Sequence, residues 1–329
     1  MPVKITIIGL GQIGGSMGLA LAAHKDKVVT TGHDKDYGVE QRAKKLGAVD
    51  QTNHNLPGAV ENADLVILAL PLTEMRETFR FIAQDLRKDA VVVDTAPVKA
   101  EVVKWARELL PETVHYVGIA PAIGAKHLAM TETALDAARA DLFTKSVFLV
   151  AAPPGASEEA LQLVSGFIGL LDSIPVLTDF AESDGLMATA HLLPQLISAA
   201  LLDATLGKPG WSDLRRTASR NFFAATSTLA DSDGAEALGM ASIHNRENVA
   251  RALNNFINAL IDLRDDLEND EESFRKRLSS SLQGRVNWLL ERNKAEWSKM
   301  PEESYERPSL METLFGSKLG RMGKKGKDG

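Results

Sequence analysis

Short apolar runs rich in β-branched residues alternate with amphipathic stretches of helical length through the first half of the chain. The pattern predicts strands at 3–8, 28–32, 65–70, 91–94, 114–119, 146–150 and 174–177. Between most of them it predicts helices over 12–23, 39–46, 74–85, 98–110 and 158–171. Alternation of this kind builds βαβ units and a parallel, doubly wound sheet. After about Asp179 the strand signal ends. Residues 181–205 are apolar on nearly every face (Leu186, Leu192, Leu193, Leu196, Leu201), so this helix is expected to be buried, in a core or between subunits. Pro194 should kink or divide it. Leu253, Phe256, Ile257, Leu260 and Ile261 then mark one helical face, and the acidic run from Asp265 to Glu272 should open the next helix. The expected fold class is α/β, a Rossmann-like doubly wound parallel sheet over 1–178, followed by an all-α domain over 179–293. In the tail, 294–329, an apolar patch at Leu310–Phe315 is expected to dock on the body and a Lys-rich end to be solvated.

Composition narrows the function. The chain has 329 residues, which suits two domains, with 44% hydrophobic and 25% charged residues. Its 37 Lys and Arg against 44 Asp and Glu give a net charge of −7, which argues against a nucleic-acid partner. With no Cys, disulfides, thiolate metal sites and a Cys nucleophile are excluded, and no metal site is predicted. No run reads as a bilayer span and the first residues do not read as a signal peptide, so a cytoplasmic protein without a membrane partner is expected.

The chemistry begins at Gly9-Leu10-Gly11-Gln12-Ile13-Gly14, a GxGxxG string between a strand and a helix. The first Gly permits the tight turn. The second lets the backbone approach a pyrophosphate, and the third lets helix and strand pack closely. Asp34, after the second strand, is placed to accept a hydrogen bond from the adenosine ribose. Its carboxylate repels a 2′-phosphate and so favours NAD, although NADP remains possible because His33 and Lys35 flank it.

Here the sequence resembles the prephenate/arogenate dehydrogenases of tyrosine biosynthesis. The glycine string with Gly15-Ser16, the strand Ala63–Pro71, Asp94-Thr95-Ala96-Pro97-Val98-Lys99, Gly118–Gly124 and Asp141-Leu142-Phe143 are all similar to motifs of that family. The resemblance continues through Ser183–Gln195 and Asp213–Arg216 to Asn245. It implies an oxidoreductase with a nucleotide-binding domain, NAD held by Gly9, Gly11, Gln12, Ile13, Gly14, Asp34, Leu70, Pro71 and Asp94, and a helical domain that forms a homodimer. It also implies a small-molecule carboxylate substrate.

Several family positions differ. The family's catalytic His aligns with Ala120 and its Ser, in an Asp-x-x-Ser loop, with Pro97. Where the family has His-Asp and then Ser-His-Leu-Pro-His, this chain has Ser183-Asp184 and then His191-Leu192-Leu193-Pro194-Gln195. Oxidising an alcohol with NAD requires proton removal from its oxygen as hydride leaves its carbon, and neither Ala120 nor Pro97 can accept that proton. His127, just past the altered loop, and His191 are the candidate replacements, with Thr95 offering a hydroxyl. Arg216 is the candidate clamp for the substrate carboxylate, with Lys126 and the position of Ala120 also expected near the substrate. His33 and His54 read as surface residues on the adenosine side. Two rival readings remain open: a dehydrogenase or reductase of another small carboxylate, and a dinucleotide-binding protein without catalysis.

Overall fold

In a computed structural model that describes residues 2–229 and 233–297, eight strands among the described residues pair into one sheet. They are β1 (Val3–Ile8), β2 (Val28–His33), β3 (Gln51–Thr52), β4 (Leu65–Leu68), β5 (Val91–Asp94), β6 (His115–Pro121), β7 (Ser146–Ala151) and β8 (Ser173–Thr178). Their order is β3-β2-β1-β4-β5-β6-β7-β8. Strands are added outward in one direction from β1 and in the other from β4, which makes that gap the switch point where α/β folds hold ligands. The sheet is parallel except at one ladder: β7 runs antiparallel to β6, with Gly118 opposite Ala151. The connection between them carries only 3-10 turns at Ala125–His127 and Ala134–Ala137. Without a crossover helix, the chain re-enters the sheet in the opposite direction.

Helices α1 (Gln12–Leu21), α2 (Tyr37–Lys45), α3 (Leu56–Val60), α4 (Leu72–Ile82), α5 (Lys99–Leu109) and α6 (Glu158–Leu170) connect the strands. One sheet face packs Ile5, Ile7, Val93 and Val117 with Met17 and Leu21 of α1 and Val164 and Ile168 of α6. The other packs Val66, Leu68 and Val92 with Met75 and Phe79 of α4 and Val102 of α5. The short β3 and α3 fall outside the expected elements. Gln51-Thr52 is a two-residue polar edge strand with no apolar alternation, and α3 rests on its Asn55 cap, which accepts from Gly58 N–H.

Beyond Thr178 the described residues are helical. Asp179 caps α7 (Phe180–Met187), accepting from Glu182 N–H at 2.7 Å. A π turn at Ala188–Leu192 joins it to α8 (Leu193–Thr205). The expectation of no membrane-length run needs correction, because Phe180–Thr205 is long and apolar enough to cross a bilayer by length and composition alone. Only 22% of that apolar window is buried within the chain. Pro194 does not divide the helix; the π turn before it absorbs the lost N–H, with Leu193 N–H donating to Ala188 O.

Then follow α9 (Trp211–Thr217), α10 (Arg220–Thr226), α11 (Ala235–His244), α12 (Arg246–Asn269) and α13 (Glu271–Lys294). The acidic run is split rather than spent on one helix start. Asp270 caps α13 through Ser273 N–H, whereas Asp265 and Asp266 end α12, where Arg264 and Arg277 offset their charge. Ala188, Leu192, Leu238, Ala241 and Val249 from the helical half join the second core cluster, over α4 and α5. On α12 and α13, Ile257, Leu260, Ile261, Leu278 and Leu282 stay exposed. The expectations for Leu310–Phe315 and the basic end lie outside the described residues.

Candidate functional site

The turn after β1 has the shape the glycines require. Gly9 sits at φ +90°, and a Cβ on it would lie 2.3 Å from Ala69 O. A Cβ on Gly14 would lie 2.0 Å from Gly9 O, so the helix packs directly on the turn. Gly11 differs: a Cβ there meets nothing within 4 Å. Its surroundings are open on the side a pyrophosphate would take, and α1 begins without a side-chain cap or an acidic residue in its first turn. The N–H groups of that turn are left for an anion. Gln12 and Ile13 are half-buried there, and Leu70 and Pro71, just past β4, sit across the switch point. Asp34 lies against the same turn, its Oδ2 accepting from Leu10 N–H at 2.8 Å. These residues fit a dinucleotide. Lys35 forms an ion pair with Glu74, so its charge is already matched.

A shallow cleft, open to solvent, lies beside the carboxyl ends of β4 and β5. Leu72 and Pro97 form its sheet side; His191, Gln195, Asp233, Ala237 and Ala241 are on its helical side. The π turn sets His191 on this wall, and Gln195 Nε2 holds the turn by donating to His191 O at 3.0 Å. Desolvation in the cleft lowers the His191 pKa below the ordinary 6.5, against the opposing charge of Asp233. The same desolvation raises the Asp233 carboxyl, with His191 opposing. A neutral imidazole facing a carboxyl is a competent proton acceptor.

Behind the cleft lies a sealed polar network. Asp94 is fully buried, and its Oδ1 accepts from Lys99 Nζ at 2.7 Å and Ala96 N–H at 2.9 Å. Its Oδ2 accepts from Tyr116 OH at 2.6 Å. Asp184 of α7 reaches across to cap α5, accepting from Lys99 N–H at 2.5 Å and Ala100 N–H at 3.1 Å. Asn245 Nδ2 donates to the Asp184 carbonyl at 2.7 Å. Burial pushes Lys99 down, against the pull of Asp94 and Asp184, and pushes Tyr116 and Asp184 up. The network ties the helical half to the first turn of α5.

Asp94, expected at the cofactor, therefore has no surface to offer one; it positions the loop from beneath. Thr95 turns its hydroxyl toward Leu68 O at 3.4 Å, serving the backbone. His127 and Lys126 are off the cleft wall, and both bind Asp141, at 2.9 and 2.5 Å. Arg216 is exposed on α9 and makes no ion pair among the described residues. His33 is buried, not a surface residue. Of the expected catalytic residues, the cleft gathers only His191. Tyr116 was missed because it meets Asp94 only through strand pairing, and Asp233 because it sits in no local motif; Gln195 lay in the His191–Gln195 stretch but was given no role.

The nucleotide-binding domain model of prephenate dehydrogenase matches residues 17–172. A cyclohexadienyl dehydrogenase of Zymomonas mobilis is 29% identical over 229 residues, 69% of this chain and 76% of that protein. A prephenate dehydrogenase of Lactococcus lactis is 28% identical over 240 residues, 69% of this chain and 64% of that protein. The nucleotide-binding half of the chain is thus of the prephenate dehydrogenase type. The prephenate dehydrogenase of A. aeolicus, solved with hydroxyphenyl propionate and NAD+, superposes with a TM-score of 0.75 at 22% identity, covering 87% of this chain and 98% of that one. It shares the fold, a Rossmann-like sheet followed by a helical region. In this chain, Ala120 lies on β6 only 4% exposed, and Ser183 is fully buried with its hydroxyl unpaired.

Proposed function

We propose that the chain is an NAD-dependent dehydrogenase of a small cyclohexadienyl carboxylate of the prephenate or arogenate type, with a reaction centre rebuilt around His191. The observation that carries this is the cleft at the carboxyl ends of β4 and β5, next to the β1/β4 switch point, with the exposed side chains of His191 and Asp233 both on its helical wall. NAD, when bound, accepts the hydride. The glycine turn and the α1 N-terminus hold its pyrophosphate, and Asp34 holds the ribose and disfavours a 2′-phosphate. His191 takes the hydroxyl proton of the substrate in the role the family gives to the His aligned with Ala120. Asp233, on the same wall, offsets the charge the imidazole acquires. Pro97 and Ala241 give the cleft apolar walls, and Arg216, exposed on α9 outside the cleft lining, is the cation assigned to the substrate carboxylate.

The proposal includes division into a dinucleotide domain, 1–178, and a helical domain, 179–293, and a cytoplasmic homodimer. The exposed faces of α12 and α13 and the sparsely covered Phe180–Thr205 helix support a second copy, since an apolar area of this extent marks an interaction surface.

Ala120 and Pro97 favour a second reading, a protein that binds the dinucleotide and acts on another carboxylate or on none. Incubating the full chain with NAD and prephenate or arogenate, and following the absorbance of the reduced cofactor, separates the two. Turnover is expected. NAD binding without turnover of either substrate would leave the second reading.

A further inference from the structure

We propose a divalent transition-metal site at the adenosine edge of the sheet, formed by His33 at the end of β2, Glu40 on α2 and His54 after β3. The three ligand atoms lie within 4.8 Å of one another. His54 Nδ1 is 3.1 Å and His33 Nδ1 3.5 Å from Glu40 Oε1. A tetrahedral zinc ion bound at ordinary N and O distances separates its ligands by about 3.3 Å, so the two measured separations bracket the value required.

The donor set is chemically apt. Two imidazoles and a carboxylate suit zinc and its neighbours, and they do not suit magnesium or calcium, which favour all-oxygen cages. Glu40 supplies a second, independent observation. Its side chain is 1% exposed and its Oε2 has no hydrogen-bond partner, an uncompensated buried oxygen that a cation would satisfy. His54 is half exposed, which leaves an entry path and a position for water.

The ligands are held before any ion arrives. Asp36 caps α2, which fixes Glu40, and Asn55 caps α3 just past His54. Asn53 N–H donates to Gly32 O, holding the His54 loop against β2, and the Asn53 carbonyl contacts His33 Nδ1 at 3.1 Å. Tyr37 packs edge-on to the His54 ring. A metal would displace the His33–Asn53 contact and turn both Nδ1 atoms toward one centre. The site adjoins Asp34, whose N–H donates to Glu40 Oε1 at 3.0 Å.

The test uses the full chain without a polyhistidine tag, stripped with chelator and titrated with zinc chloride by calorimetry and with cobalt(II) by visible absorption. One equivalent per chain with a tetrahedral cobalt spectrum is expected. His54→Ala, at a half-exposed position that leaves the fold intact, and Glu40→Gln should each weaken binding by about 10-fold or more. Absence of stoichiometric binding, or equal affinity in wild type and His54→Ala, would overturn the proposal. If Glu40→Gln does not fold, His54→Ala alone decides.

Discussion

The two ends of the crevice are built by different means. The dinucleotide end is a contiguous stretch in which backbone does the work: a turn at positive φ, a close helix–strand contact and uncapped N–H groups. The reaction end is assembled from side chains on α4, the β5 loop, the π turn and α11. A backbone device allows few alternatives, because Gly9 and Gly14 would collide with carbonyl oxygens if they carried a Cβ. A side-chain device can be re-sourced: a His at position 120 can be given up when another element brings an imidazole to the same crevice. On the proposed reading, this difference lets the chain keep its glycine turn while the base comes from another element.

The comparison breaks most visibly at Gly11. Gly11→Val places its side chain in open space, so thermal stability should hold while NAD affinity falls roughly 100-fold or more through loss of charge-assisted N–H contacts. Calorimetry and a melting curve read both. Unchanged affinity would show that the dinucleotide does not approach this backbone. The paired control, Gly14→Val, should instead destabilise the fold.

Next in size is the assembly that completes the helical half. Ile257→Asp with Leu260→Asp should move the mass measured by light scattering from dimer to monomer, each charge costing about 2 kcal/mol at an interface core. A wild-type monomer at micromolar concentration would remove the interface. Asp34→Ala should narrow the preference for NAD over NADP by about tenfold, as the repelling carboxylate goes and Leu10 N–H loses its acceptor. A wild type that binds NADP more tightly would contradict the reading of Asp34.

The smallest effect is on pH dependence. The His191 pKa is lowered in the fold, so the imidazole stays neutral below pH 6.5 and the acid limb of kcat should fall below that value. The unfolded chain binds a proton near 6.5 that the folded chain refuses, so stability should decline as pH drops through that region. His191→Gln should remove that part of the decline. A limb at or above 6.5 would point to another base.

The same contrast governs what could be read from the sequence. Most strands and helices were legible because apolar periodicity is local, and the glycine turn and Asp34 because their spacing is. The antiparallel β7 was not, since nothing in Ser146–Ala151 records that residues 122–145 would return without a crossover helix. Asp94 was placed at the cofactor by its motif, yet Lys99 and Tyr116 consume its oxygens, and that follows only from strand pairing and the reach of a buried lysine. Asp233 lay in no pattern at all. It shares a wall with His191 only because α11 packs beside the π turn.

The most direct test of the rebuilt centre compares prephenate and arogenate oxidation by the wild type and His191→Ala, with NAD affinity measured alongside. The account predicts turnover by the wild type and a loss of ~10²–10⁴-fold in kcat for His191→Ala, with NAD binding unchanged. A variant that turns over at the wild-type rate would contradict it.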